Sequence, residues 1–195
     1  HEATDAVVIM GLLIMALQTL VSREIDPLHP SVITIGQAQA GSAPNVIAES
    51  AILRGSIRST LPAVRKQLHA GLERIALATG SLHNATVEVD LLDGYPPVVN
   101  TSRETAIART VIREKFGAQA LKTMDYPSMG SEDFSYYLES IPGCFVRFGA
   151  RRASQEYIPL HCPAFDIDEG VLRVGAAFFN EVAREALLNL SHSNH

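Results

Sequence analysis

Cysteine is scarce. Cys144 and Cys162 are the only two in 195 residues; they are too few for a disulfide scaffold and are not at metal-knuckle spacing, so a reducing, cytoplasmic setting is expected. Long runs of like charge are also missing. Sixteen basic and twenty-one acidic side chains, a net charge of −5, are dispersed along the chain, which argues against nucleic acid or an anionic membrane as the main partner. The strands carry no paired aromatics on which bases could stack, so RNA binding by a ferredoxin-like sheet is disfavoured. No internal repeat or low-complexity tract is present, and SHSNH at 191–195 reads as a frayed or appended tail.

One apolar run stands out, AVVIMGLLIMALQTLV at 6–21, broken only by Gln18 and Thr19. It falls short of the roughly 20 residues that cross a bilayer, and it has neither a basic flank before it nor a small-residue cleavage site after it. A buried helix is expected instead. Thr4 or Asp5 would cap it, Arg23 would lie in its last turn, and Asp26-Pro27 would end it. Being apolar nearly all round, it should pack on a sheet with one face and on a further surface, such as another subunit, with the other.

With 47% hydrophobic residues, the chain can bury one substantial core or two small ones. Residues 32–38 and 51–59 read as two strands of a hairpin, joined by the polar loop Gly41 to Glu49. Thr60 should cap a helix with Pro62 near its first position, the periodic set Val64, Leu68, Leu72, Ile75 and Leu77, and Gly80 as its stop. Residues 85–92 alternate, with Val87, Val89 and Leu91 on one face and Thr86, Glu88 and Asp90 on the other. The order is that of a ferredoxin-like βαββαβ sandwich lacking its first strand. DGYPPVVN at 93–100 marks a boundary. Beyond it the reading gives a helix from a Ser102 cap to a Gly117 stop, short strands at 121–124 and 144–148, and a helix opened by Ser131 as N-cap. A last helix carries Val171, Leu172, Phe178, Phe179, Val182, Ala186 and Leu190 inward, with Asp166 and Glu169 as its capping pair.

Four features could carry chemistry, each beside a plainer role. Asn45, in PNVIAES, is either a turn residue or a polar contact for a ligand. Arg58 shares a strand face with Arg54 and Ser56, opposite Leu53, Gly55 and Ile57; that face is either solvated or looks into a cleft where a guanidinium grips a carboxylate. Gly130 and Ser131, at a helix start, either cap that helix or let an anion approach the backbone. His161, in the proline-bounded turn PLHCP, is either a hydrogen-bonded structural residue or a metal ligand.

In chain order, HEATDAV, LQTLVSREIDPL, NVIAESAILRGSIRS, YPPVVN, MGSEDFSYYLESIPG and LHCPAFDIDEGVL resemble the di-metal amidohydrolase and peptidase family, metallopeptidase family twenty. Its members include carboxypeptidase G, aminoacylase, hippurate hydrolase and the auxin-conjugate amidohydrolases. The resemblance covers nearly the whole chain. It implies a lid and dimerisation domain at 1–93, the C-terminal segment of an α/β zinc-peptidase catalytic domain at 94–190, and a tail at 191–195. It further implies His161 as a metal ligand, Asn45 and Arg58 as lid residues meeting the substrate's carbonyl and carboxylate across a homodimer, and Gly130 and Ser131 as lining for the substrate. His1 matches the histidine of a Pro-His pair, with no catalytic task.

The activity so implied is cleavage of the amide bond in an N-acyl amino acid or small peptide-like substrate, using two divalent ions, zinc or manganese, cobalt or nickel. The family's other metal ligands, its general-base glutamate and its lid histidine have no counterpart in these 195 residues. The chain is therefore expected to be the C-terminal portion of such an enzyme, inactive alone and binding no metal by itself. The rival expectation is a non-catalytic dimerisation or binding module.

Overall fold

A computed structural model describes residues 1–192; the last three residues of the SHSNH tail lie outside them. The chain is mixed helix and strand, and by contacts it divides into two compact units. The first holds His1–Pro97 together with Pro127–Glu132, and the second holds Val98–Tyr126 and the residues from Asp133 onward.

The first unit opens with helix α1, Ala6–Thr19. Asp5 caps it: its carboxylate accepts from the amides of Val7 and Val8 at 2.9 and 3.3 Å, satisfying two of the donors a helix start leaves open. The helix runs into a π turn, Leu20–Glu24. Strands β1, Ser31–Ala40, and β2, Ala51–Ser59, pair antiparallel, with Ser31 opposite Ser59 and Ala40 opposite Ala51. The register shifts between Ile35 and Gln37, leaving Gly36 as a bulge. Helix α2, Pro62–Leu82, follows. Leu17, Leu20, Ile25, Ile33, Val64, Leu68 and Ile75 form the core between the helices and the ribbon, joined by Ile35 and Ile57.

Several expectations need correction here. Within this chain the run at 6–21 is covered on one face, with Ile9 and Leu17 buried; Val7, Val8, Leu12 and Met15, on the face expected to meet a further surface, are exposed, because α2 and the two-stranded ribbon cover only one side. By length and composition alone Ala6–Glu24 meets the requirement for a membrane span, with hydropathy 1.9. Leu61, not Thr60, is the residue before α2, and Leu77 faces solvent while Ala76 is buried.

Gly80 does not stop α2 but lies inside it, buried. A side chain there would come within 2.7 Å of the Ala85 carbonyl and 2.8 Å of Val87, so the glycine serves the close return of the chain. Residues 85–92 form no ladder. Their burial nevertheless alternates as the sequence pattern does, with Ala85, Val87, Val89 and Leu91 half-buried and Thr86, Glu88, Asp90 and Leu92 exposed. The three strands expected of a ferredoxin-like lid lacking its first strand are thus not seen as one sheet among the described residues, where the one sheet has two strands.

The second unit is built on α3, Ser102–Phe116, and α5, Gly170–His192. Ala108, Val111 and Phe178 are its buried centre, with Cys144, Val146, Phe148 and Val182 packed around them. Phe148 meets Phe178 edge-on, ring centres 5.4 Å apart at 78°, a favoured aromatic geometry. Lys115 and Glu181 link the two helices at 3.2 Å. Thr101, rather than Ser102, precedes α3, and its hydroxyl donates to the Glu104 carboxylate. Gly117 ends the helix at φ 86°, a conformation that favours glycine.

The expected strands at 121–124 and 144–148 form no ladder either. Around Phe145 a side chain does a strand's work: the Asn100 amide donates to the Phe145 carbonyl at 3.0 Å and accepts from its N–H at 2.8 Å. Helix α4, Phe134–Ser140, begins after Asp133, so Ser131 is not its N-cap. At α5 the capping carboxylate is Asp168, which accepts from the Gly170 amide at 2.9 Å, and not Asp166. The inward stripe of α5 runs through Val171, Gly175, Phe178, Val182 and Ala186, leaving Leu172, Phe179 and Leu190 exposed.

Candidate functional site

Arg58 lies near the end of β2, paired with Val32 across the ribbon. Ile57, its neighbour, belongs to the core, so alternation puts the arginine on the opposite face. There its Nη1 donates to the Met129 carbonyl at 2.6 Å and to Ser131 Oγ at 3.2 Å. Three of the residues singled out from sequence, Arg58, Gly130 and Ser131, are thereby grouped in the first unit. This tertiary contact gives the Ser131 hydroxyl a partner, and α4 begins three residues beyond it. Because α4 starts at Phe134, Gly130 and Ser131 do not stand at its first turn, as the anion reading of them assumed. Arg54, on the same strand face, donates to Gln37 Oε1 at 3.0 Å.

Asn45 sits in the loop between β1 and β2, exposed. The loop is tied down by the Ala6 amide, which donates to the Ala48 carbonyl at 3.1 Å, and by the buried Ala48 side chain. A cavity of about 700 Å³ is formed by the loop with Asp5 and Val7, and Asn45 lines it. Arg58 is at the other end of the hairpin. Ala51, where β2 begins, and Arg58 are seven residues apart, which in a strand is roughly 23 Å. One small molecule cannot touch both Asn45 and Arg58 of the same chain in this arrangement.

His161 belongs to the second unit, in a turn closed by the Cys162 amide donating to the Pro159 carbonyl at 3.3 Å. Its φ is 68°, left-handed, a conformation uncommon for any residue with a Cβ though less so for histidine. The loop after it is braced: the Asp168 amide donates to the Ala150 carbonyl at 2.7 Å, and Arg152 pairs with Asp166 at 3.3 Å. The imidazole is exposed, and among the described residues no hydrogen bond or ion pair to it is seen.

One imidazole does not make a metal centre. Among the described residues no group of three or more His, Cys, Asp or Glu could hold a metal ion, so a dinuclear site does not fit the residues of this chain taken alone. The contact that sequence reasoning missed is the Met129 carbonyl. A backbone acceptor leaves no trace in residue identity, so no signal could have found it.

Comparison with known proteins settles the family. The model of peptidase family M20/M25/M40 matches residues 4–185. This chain belongs to that family. Its relatives include a probable hydrolase of Synechocystis, 35% identical over 98% of this chain and 49% of the relative. An IAA-amino acid hydrolase of Arabidopsis thaliana is 34% identical over 96% of this chain and 43% of the relative. Among solved structures, a dinuclear metal binding peptidase of this family from Bacillus subtilis superposes with a TM-score of 0.74 at 28% identity, covering 95% of this chain and 46% of that one. The chain spans about half the length of the curated relatives it matches.

Proposed function

We propose that this chain is the lid and the C-terminal catalytic segment of a metal-dependent amidohydrolase that cleaves N-acyl amino acids. The observation that carries the reading is the family match across 4–185, in a family one of whose relatives is named for hydrolysing an amino-acid conjugate. In the whole protein His161 is one ligand of a pair of divalent ions whose other ligands lie outside this chain. Bound there, such ions would supply polarisation of the amide carbonyl and a nucleophile at neutral pH.

The residues described here have separate tasks. Arg58 binds the substrate's carboxylate with parallel hydrogen bonds, and Asn45 donates from its amide to the oxygen on which charge builds. Because the two lie at opposite ends of one hairpin, a pocket using both draws them from two lids, which accords with a homodimer. The exposed apolar face of α1, with Val7, Val8, Leu12 and Met15, supports association through this unit.

The lid reading itself is supported by residues 85–92. A connection from β2 through α2 is a crossover, which brings the chain back parallel to the strand it left. Alternating burial without a ladder fits a segment awaiting a strand antiparallel to both, as the βαββαβ sandwich requires.

The test is amine release from N-acetyl amino acids by this chain joined to the N-terminal half that its longer relatives carry. The joined protein is expected to hydrolyse them and to lose activity with a chelator. Arg58→Ala in it should raise KM for N-acetylglycine tenfold or more, with little change for N-acetylglycinamide. A joined protein that binds no divalent ion and releases no amine would refute the reading.

A further inference from the structure

Arg58 already has partners before any substrate arrives. Both acceptors on its Nη1, the Met129 carbonyl and Ser131 Oγ, come from a stretch 71 and 73 residues downstream. That stretch, Pro127–Glu132, belongs to the same unit as β2, whereas the residues on either side of it belong to the other. It contains no helix or strand, and Pro127, Ser128 and Gly130 are exposed. The Gly130 amide donates to Ser128 Oγ at 3.3 Å.

We propose that Arg58 is a latch that holds residues 129–131 until a carboxylate takes its guanidinium. The inference rests on the assignment of Arg58 to the substrate's carboxylate and adds what that binding does to the chain. A carbonyl and a hydroxyl are neutral acceptors sharing a single nitrogen. A carboxylate offers two oxygens that share a full negative charge in the spacing of the guanidinium fork, so it adds an ion pair and a second parallel bond that the two neutral acceptors lack. When the guanidinium presents the edge bearing Nη1 and Nη2 to an acid, both bonds on Nη1 break together, and Met129, Gly130 and Ser131 are released.

Occupancy of the acid subsite is thereby coupled to the freedom of the stretch that lines the substrate, because the ligand binds only the unlatched form. An amide without a carboxylate leaves the latch closed. The discrimination then comes from the cost of opening as well as from the ion pair.

The chain has no tryptophan, so Tyr126→Trp, at an exposed position immediately before the segment, gives a single indole whose anisotropy reports its freedom. Arg58→Ala in that background should lower the anisotropy, Ser131→Ala should lower it less, and Arg58→Lys should fall between Arg58→Ala and the parent. N-acetylglycine at saturation should lower it in the parent, do nothing further in Arg58→Ala, and N-acetylglycinamide should have no effect.

An anisotropy unchanged by both Arg58→Ala and Ser131→Ala overturns the latch, whatever the acid does. If the substitutions free the indole but N-acetylglycine does not, the competition is overturned along with the carboxylate assignment of Arg58. The hydrolase reading is judged separately by amine release from the joined protein.

Discussion

The contact between Leu20 and Gly71 gives a sharp test of how the first unit is packed. Leu20 is fully buried, and a Cβ added at Gly71 would lie 2.5 and 2.9 Å from its two terminal methyls. Alanine is favoured over glycine in a helix interior by about 1 kcal/mol, but crowding a filled core costs about 1–3 kcal/mol. Gly71→Ala should therefore destabilise by up to about 2 kcal/mol. Leu20→Ala removes the crowded methyls and leaves a cavity, at about 2–5 kcal/mol. In that background the new Cβ at position 71 enters vacated space, so the same Gly71→Ala change should stabilise by about 1 kcal/mol. The sign reversal corresponds to a coupling of about 1–3 kcal/mol. Urea unfolding of the four proteins, followed by far-ultraviolet circular dichroism with the slope held common, measures it. Equal effects of Gly71→Ala in both backgrounds, within about 0.5 kcal/mol, would refute the packing argument.

Asn100→Ala removes both side-chain partners of the Phe145 backbone and should cost about 1–3 kcal/mol, with faster hydrogen exchange at the Phe145 amide; unaltered exchange there would contradict the pairing. The Thr101 hydroxyl and the backbone amide of Glu104 hold the Glu104 carboxyl below its ordinary value, with help from Arg103 and against a small effect of burial. A depressed carboxylate stabilises the fold above its unfolded pKa of about 4.3 and loses that contribution as pH falls through the folded value. Glu104→Gln should accordingly differ from the parent in stability at neutral pH and converge with it below that window, as read by unfolding at a series of pH values. His161→Gly removes a Cβ from a left-handed position, and the relief offsets the flexibility added to the unfolded chain. It should leave stability within about 1 kcal/mol of the parent, whereas a larger loss in thermal unfolding would make the imidazole a structural anchor.

What was legible in the sequence was what neighbouring residues decide. Asp5 before an apolar run, Gly117 after a periodic one, and the alternation of residues 51–59 each specify a cap, a stop or a face by local chemistry. These features stand where the structure has them. Gly80 misled because a glycine near a helix end has two uses. Here the close approach of Ala85 and Val87 is satisfied inside the helix, and the left-handed turn falls to Asn84 at φ 52°. Ser131 misled for a related reason, since a hydroxyl that fits a cap is equally good as an acceptor for a distant arginine.

The strands divide along the same line, and the division bears on the site. Alternation states which side chains turn inward; residues 85–92 obey it in their burial, and Cys144, Val146 and Phe148 pack on one core. Pairing is a property of two segments. A backbone whose neighbour is missing must find its hydrogen bonds elsewhere, as Phe145 does with Asn100. Arg58 follows the same logic at the level of a side chain: its face was written in the period of β2, but its partners were not, because they come from the far end of a long separation. A guanidinium turned away from a core will take the nearest acceptors. Where those are neutral groups on an irregular stretch, an anion of the right shape can displace them, which is the competition proposed for Arg58.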